Sequence, residues 1–597
     1  MLRRRAIFAS LVVGSAGAAL GVLAMVLGGD GLGIADTLML LSFALTLPWA
    51  MIGFWNAVIG FLLQFRYGSD TARIVCPPAA IPAGSTAPTA GTGGRTAILM
   101  LVHEEDPDRV HASLVRMAAD LAARAERPGR FVFFVASDTQ DPAVAGREAA
   151  LFGTWNERRP AGADAPPLHY RRRASNAGHK TGNLWDWLER HGAHFDTFVP
   201  LDADSMMSAR ALERLATIMD RAPEVGILQP LIAGLPNTAP FARIFQFGMR
   251  HGMRAYATGG AWWQGDSGPF WGHNAIVRTA PFMAHCRLPR LPGGPPLGGL
   301  VLSHDQVEAA VMRAAGHAVY VLPDSDGSFE ENPPTLQDFI KRDLRWCQGN
   351  MQYLRLWHRP GFAPMGRLQL VLAIMMYVAA PAWLGFVGIG LGQAAMAGTG
   401  GASAPLSPIG WTLGIGLFAV MMGINLMPKI AGIAALLAHP ARRRAHGGTR
   451  RVVGSAAIEL VFSLFLGPIV AVAQTVFLCG LTLGRTVGWD AQRRTLRELG
   501  WGEAWRGLWP QTVIGCALFV LLAARAPVLL PWAAPILLPL MAAVPFARLT
   551  GRAWLGRLLV DHRLCATPEE LRTNPATRPL RHHGTAPGPI TAGKKAA

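Results

Sequence analysis

Apolar runs long enough to cross a bilayer bracket a central stretch of the chain that contains none. Two such runs lie near 6–27 and 37–63, others resume near 369–391 and 408–427, a longer one covers 455–484, and two further apolar stretches lie near 512–523 and 526–544. A helix needs about 20 apolar residues to span the hydrocarbon, and no segment between 95 and 366 meets that requirement. The pattern predicts an α-helical multi-pass membrane domain with a water-exposed domain inserted in it. Residues 1–66 hold two N-terminal membrane helices, and 67–94 form a linker whose end is rich in Pro, Ala, Gly and Thr. The inserted domain covers 95–366, the C-terminal membrane domain 367–547 and a basic tail 548–597.

A formal net charge of +18 raises the question of nucleic acid. The arginines, however, cluster beside the apolar runs, at Arg3-Arg4-Arg5, Arg442-Arg443-Arg444, Arg450-Arg451 and Arg493-Arg494. That distribution follows the positive-inside rule, so the partner it predicts is the lipid bilayer and not nucleic acid. The N-terminal segment reads as an uncleaved first span rather than a signal peptide, because a second apolar run follows at once. The loop 392–407 carries no Lys or Arg and is expected outside, whereas the basic loops 442–451 and 485–506 are expected in the cytosol. Both can be cytosolic only if 455–484 crosses an even number of times. This favours a hairpin broken at Gly467-Pro468 and about eight spans in all, about six of them C-terminal, or seven in all if one late run is interfacial. The six cysteines show no C-x-x-C spacing and predict neither a zinc site nor a disulfide framework.

Within the inserted domain, strands are expected at 96–102, 131–136 and 195–201, with helices over 107–124 and 181–191. Such alternation predicts a mostly parallel sheet with helices on its faces, and ligands bind at the carboxyl ends of its strands. Acidic motifs fall at those ends: Glu104-Glu105-Asp106, Asp138 and Asp202-Ala203-Asp204. Each has a bland reading. A D-x-D triplet is more often a loop or helix cap, and Asp138 followed by Asp141-Pro142 is a turn. Asp305 opens a helix and can serve as its cap. Arg171-Arg172-Arg173 with His179-Lys180 is ordinarily a solvated face, and Arg345-Trp346, Trp262, Trp263 and Trp271 ordinarily pack. The sharper reading needs them together. Paired carboxylates can hold a cation on a diphosphate, and the basic run can meet the same anion. Asp305 can take a proton, and Trp346 can stack on a sugar.

These residues resemble the signature of the processive inverting glycosyltransferases of family 2: D, D-x-D, an acid of T/E-D type, and Q-x-x-R-W. Here it corresponds to Asp138, Asp202 with Asp204, Asp305, and the run from Arg342 to Arg345-Trp346, with Arg342 standing where the pattern has Gln. The chain is most similar to the glucan biosynthesis glucosyltransferase H family, through YRRRASNAGHKTGN, LDADSMMS, WGHNAIVR, LPGGPPLGGLVLSHDQVEAA, GSFEENPPTL, RDLRWCQGNMQ and GRTVGWDAQRR. His103 departs from it, standing where that family's first-strand motif has Asn.

The resemblance implies a cytosolic α/β domain of GT-A type, with a Rossmann-like mixed sheet, held among inner-membrane helices. It implies an inverting hexosyltransferase that takes UDP-glucose with Mg²⁺ or Mn²⁺ and extends a growing β-glucan. The membrane helices pass that glucan outward to a periplasmic glucan-processing partner. By the same resemblance Asp305 is the catalytic base and Asp204 the metal ligand. Glu104, Asp138, Lys180, Asp202, Arg342 and Arg345 hold the donor, while Trp346, His273 and Asn274 meet the acceptor. Two other readings remain. Another family 2 polysaccharide synthase keeps the same catalytic residues with a different donor or linkage. A non-enzymatic transporter or scaffold has no use for Asp204 and Asp305 together.

Overall fold

A computed structural model of the protein describes residues 1–80, 94–159, 164–324, 326–397, 408–488 and 497–571. Among the described residues the inserted domain contains ten strands: β1 (Thr96–Val102), β2 (Phe131–Ser137), β3 (Leu168–Arg172), β4 (Thr197–Asp202), β5 (Met206–Met207), β6 (Val225–Pro230), β7 (Ala233–Gly234), β8 (Ile276–Arg278), β9 (Ala318–Leu322) and β10 (Ser328–Glu330). Seven of them form one sheet in the order β3-β2-β1-β4-β8-β6-β9. Only β8 runs antiparallel to its neighbours, so the sheet is the mixed α/β type expected. The remaining three make a small sheet in the order β5-β10-β7.

β1 and β2 are buried along their whole length, which explains their uninterrupted apolar sequences TAILMLV and FVFFVAS. Side chains alternate between the faces of the sheet. Ile98 and Met100 join Leu114 and Leu121 of the helix Pro107–Arg124 on one side. Ala97, Leu99 and Leu101 meet Trp187 and Leu188 of the helix His179–His191 on the other.

Among the described residues, six helices are long and apolar enough to cross a membrane: Leu2–Leu27, Ile34–Tyr67, Pro364–Met396, Ile409–Ala438, Thr449–Thr482 and Trp501–Arg525. The bent pair Pro527–Met541 and Ala543–Thr550, angled at 59°, makes a seventh if counted as one broken span. A helix of the inserted domain, Pro240–Gln264, packs against the end of Ile34–Tyr67. Small residues let the two backbones meet: a Cβ on Gly60 would lie 1.8 Å from the Ala255 carbonyl oxygen, and one on Gly259 2.0 Å from that of Asn56. Trp263 Nε1 donates to Asn56 Oδ1 at 2.9 Å and Gln64 Nε2 to Thr258 Oγ1 at 2.9 Å.

Two local expectations change, and the beginning of the tail takes a described structure. The hairpin at 455–484 is not formed, because Thr449–Thr482 is one continuous 34-residue helix that carries Pro468 inside it. A proline removes a single helical hydrogen bond, whereas an open turn in apolar surroundings leaves several backbone groups unsatisfied. Both halves of this helix touch the inserted domain. Glu459 lies against Gly248, where a Cβ would come within 2.2 Å of Oε1, and Gln474 Nε2 donates to Asp343 Oδ2 at 2.8 Å. Just beyond it, Val487 N donates to Gln348 Oε1 at 2.9 Å. The linker is also partly folded: Thr71–Val75 is helical, and Val75 and Cys76 are buried. The tail, finally, begins as structure. Arg250 grips Glu569 through two bonds of 2.6 and 2.7 Å, and Arg243 Nη1 donates to Glu570 Oε2 at 2.9 Å. The Gly- and Thr-rich end of the linker, the loop after Ala397, part of the 485–506 loop and the end of the tail lie outside the described residues.

Candidate active site

The carboxyl ends of β1, β2 and β4 bring Glu104, Asp138 and Asp202 to one edge of the sheet. Glu104 sits at φ +56° and accepts from the backbone N–H groups of Gln140 at 2.7 Å and Asp141 at 3.1 Å. It thereby ties the turn after β1 to the turn after β2. Asp138 is buried, and Arg173 clamps it with bonds of 2.6 Å from Nε and 2.7 Å from Nη2. Arg173 also donates to the carbonyls of Ala177 and His179, so it shapes the loop that delivers Lys180. Its neighbours Arg171 and Arg172 reach Asn183 and the Thr139 carbonyl. The basic run is therefore a set of internal braces, and Lys180 is its member at the acidic edge.

Lys180 Nζ pairs with Asp202 and donates to the Gly272 carbonyl at 3.3 Å. Gly272, at φ +77°, lies against Asp305, whose Cβ would be 3.3 Å from a Cβ built on the glycine. A side chain there would be strained by both backbone and contact. Asp305 is partly exposed at the first position of the helix Asp305–Ala314. Burial pushes its carboxyl above the ordinary carboxylate range, His304 pulls it down, and Glu308 pushes it up again. A base near neutrality needs such tuning.

The D-x-D turn closes through Ser205, whose N–H donates to the Asp202 carbonyl at 2.9 Å. Ser205 Oγ is 3.4 Å from His273 Nδ1, and His273 Nε2 is 3.6 Å from Glu330 Oε2. Burial raises the Glu330 carboxyl; His273 and Arg342 oppose this, and Asp204 and Asp202 reinforce it. Glu330 thus faces both acids of the triplet, a role that sequence reasoning missed although GSFEENPPTL was singled out. Its one local signal is the position at the end of a short strand. Asn274 belongs with the braces: it is fully buried at φ +53°, and its amide donates to Ser328 Oγ and the Phe329 carbonyl, both at 3.1 Å.

The helix Leu336–Met351 carries Arg342, Arg345 and Trp346. Trp346 is 48% exposed with the Arg342 guanidinium 4.9 Å from its ring centroid, while Arg345 is buried. The far end of this helix holds the segment leading to Asp305. Tyr353 Oη donates to the Ser303 carbonyl at 2.7 Å, Gln352 Oε1 accepts from Leu302 N at 2.8 Å, and a Cβ on Gly349 would lie 2.2 Å from Ser303 Oγ. The helix that carries Trp346 therefore also braces the segment that leads into Asp305.

No group of three His, Cys, Asp or Glu among the described residues is arranged to hold a metal by itself. The donor set of Asp204, with Glu330 and Asp202 near it, fits a hard cation that takes most of its oxygens from a diphosphate, as Mg²⁺ commonly does.

Residues 197–396 match the family model described as Glycosyl transferase family group 2. The chain is 35% identical to a glucans biosynthesis glucosyltransferase H of Xanthomonas oryzae pv. oryzae, over 93% of this chain and 85% of that protein. It is 36% identical to a protein of the same description from Caulobacter vibrioides, over 87% of this chain and 78% of that one. A solved mannosyltransferase from Pyrobaculum calidifontis, in complex with GDP-Man and Mn²⁺, is 15% identical with a TM-score of 0.36, covering 65% of this chain and 97% of its own. At that score the likeness adds nothing to the fold read from the sheet.

Proposed function

Since the chain belongs to the glucans biosynthesis glucosyltransferase H family, a group of membrane-embedded glycosyltransferases, we propose that it polymerises glucose from UDP-glucose into a β-glucan backbone. We further propose that it passes the product outward across the inner membrane. The observation that carries the reading is the contact chain Asp202–Lys180–Gly272–Asp305, which joins a donor-side acid to a tuned carboxylate through one lysine and one glycine.

Asp305 takes the proton of the acceptor hydroxyl as that oxygen bonds to the anomeric carbon. The bond from that carbon to the donor diphosphate breaks with its electron pair leaving on UDP, so the configuration inverts. Asp204 would hold a divalent cation, Mg²⁺ or Mn²⁺, which would supply positive charge to the leaving diphosphate. Lys180, Arg342 and Arg345 contribute cations from the protein, Asp138 and Glu104 border the nucleotide, and Trp346 and His273 face the acceptor. Asn274 fixes His273 rather than touching sugar.

The inserted domain faces the cytosol in this reading. Its support is the arginine clustering together with the helix Thr449–Thr482, whose two halves both pack on that domain. Such a helix lies along the membrane boundary and leaves the basic segments at its two ends on one side.

Purified membranes should transfer glucose from UDP-glucose into β-linked product, and Asp305→Asn should lower the rate by about 10²-fold or more. Linkage analysis of that product identifies the polymer. Transfer only from a different nucleotide sugar would replace this reading with another family 2 synthase.

A further inference from the structure

Glu308 lies one helical turn after His304, beneath the proposed base. It is fully buried, with 0% of its surface exposed. Its Oε1 is 3.0 Å from His304 Nδ1, and apart from that contact neither carboxylate oxygen has a hydrogen-bond partner among the described residues. A carboxylate removed from water needs a counter-charge, and His304 is the group in reach. Other titratable groups also face this cluster. Lys180 comes from the helix His179–His191, Tyr353 from the segment Gln352–Arg355, and Cys286, whose Sγ lies 3.6 Å from the Glu308 carbonyl, follows the helix Thr279–His285. None of the steps described above uses Glu308.

We propose that Glu308 is a positioning residue of the transfer reaction, acting through His304 on the carboxylate of Asp305; this rests on Asp305 being the base. Burial alone would strip His304 of its proton, and Glu308 reverses that. The resulting imidazolium is the largest influence that keeps Asp305 ionised against its own burial, larger than the direct repulsion from Glu308. The pair therefore places a fixed positive charge beside the base without adding net charge to the core. A purely structural pair would tie the start of the helix to its second turn and do no more.

The test uses the full-length enzyme in detergent or nanodiscs with the nucleotide-sugar donor. Glu308→Gln should lower kcat about 10-fold or more with little change in donor KM. Because His304 loses its proton, the acid limb of the rate–pH profile should also move to higher pH. Glu308→Asp should recover part of both. If Glu308→Gln does not fold, the double variant His304→Gln/Glu308→Gln removes both charges together and should fold with the same kinetic defect. Where both fold, a pair acting as a unit makes the double variant no worse than Glu308→Gln alone. Turnover within about twofold of the parent with an unmoved acid limb overturns the inference, as does lowered melting temperature as the sole effect. Asp305→Asn, run alongside, separates the two assignments: an active Asp305→Asn sinks the base itself, whereas an inactive one beside a normal Glu308→Gln sinks only the role of Glu308.

Discussion

At the scale of single residues, the site holds two positions outside the set of catalytic and binding residues expected from the sequence. Gly272 accepts a bond from Lys180 and leaves room for Asp305, at a backbone angle that disfavours any side chain. Gly272→Ala should therefore cut turnover by about 10²-fold, the scale of an ångström-size misplacement, while the protein still inserts and folds. Near-normal turnover would show that the close approach has no functional weight. Glu330 is the second. Burial chiefly raises its carboxyl, and it faces His273 and Arg342 as well as Asp204 and Asp202, so that three carboxylates gather there. That charge calls for a cation. Asp204→Asn should reduce transfer by about 10²-fold or more and weaken Mn²⁺ binding measured in the presence of UDP. Chelator should silence the parent enzyme, and Mg²⁺ or Mn²⁺ should restore it. Full activity in excess chelator would remove the metal from the reaction.

At the scale of elements, Thr449–Thr482 decides the topology. Its composition is that of a membrane span, but Glu459 and Gln474 both touch the inserted domain, and they are separated by about 22 Å along a helix axis. A helix crossing the bilayer at right angles cannot keep both contacts on one side. Single cysteines at Thr449 and Gly484, in a background without native thiols, should accordingly be labelled from the same face of sealed vesicles. Labelling from opposite faces would make the helix a span. The helix Leu336–Met351 is the other decisive element. Its C-terminal half presents Trp346 and, at Gly349 and at Tyr353 just past its end, meets Ser303, while Asp343 in its middle accepts from Tyr377 of the membrane helix Pro364–Met396 at 3.4 Å. Trp346, the segment before Asp305 and the membrane helices are thus connected through a single helix.

At the scale of the whole molecule, the inserted domain is bolted to the membrane helices through Pro240–Gln264. Gly248, Arg250, His251 and Gly252 of that helix meet elements from the C-terminal half. His251 and His446 lie with ring centroids 4.8 Å apart at this junction. Burial holds both below the ordinary imidazole range, His446 at about 4. Between that value and the unfolded value of about 6.5, the unfolded chain binds protons that the native junction does not. Stability should therefore be fully present above about pH 6.5 and fall by up to about 1.4 kcal/mol per pH unit through His446 as the pH drops towards 4, with His251 acting in the same direction. His446→Gln should flatten that dependence in thermal unfolding followed against pH. An unchanged slope would mean that the junction does not titrate.

The sequence by itself determined the large divisions of this protein. Buried strands such as TAILMLV and amphipathic helices such as Pro107–Arg124 are local patterns with local physical causes, and they emerge where periodicity places them. The acids at strand ends were legible for the same reason, since a parallel sheet puts its ligands at carboxyl ends. Tertiary structure alone decided what depends on proximity between distant segments. Arg173 reads as one of three arginines until it is seen clamping Asp138, and Asn274 reads as a sugar contact until its amide is found bonded to Ser328 and Phe329. Glu330, Gly272 and the helix Thr449–Thr482 follow the same rule. A charge, a glycine or an apolar helix takes its role from what the fold brings against it, and no spacing along the chain encodes that neighbour.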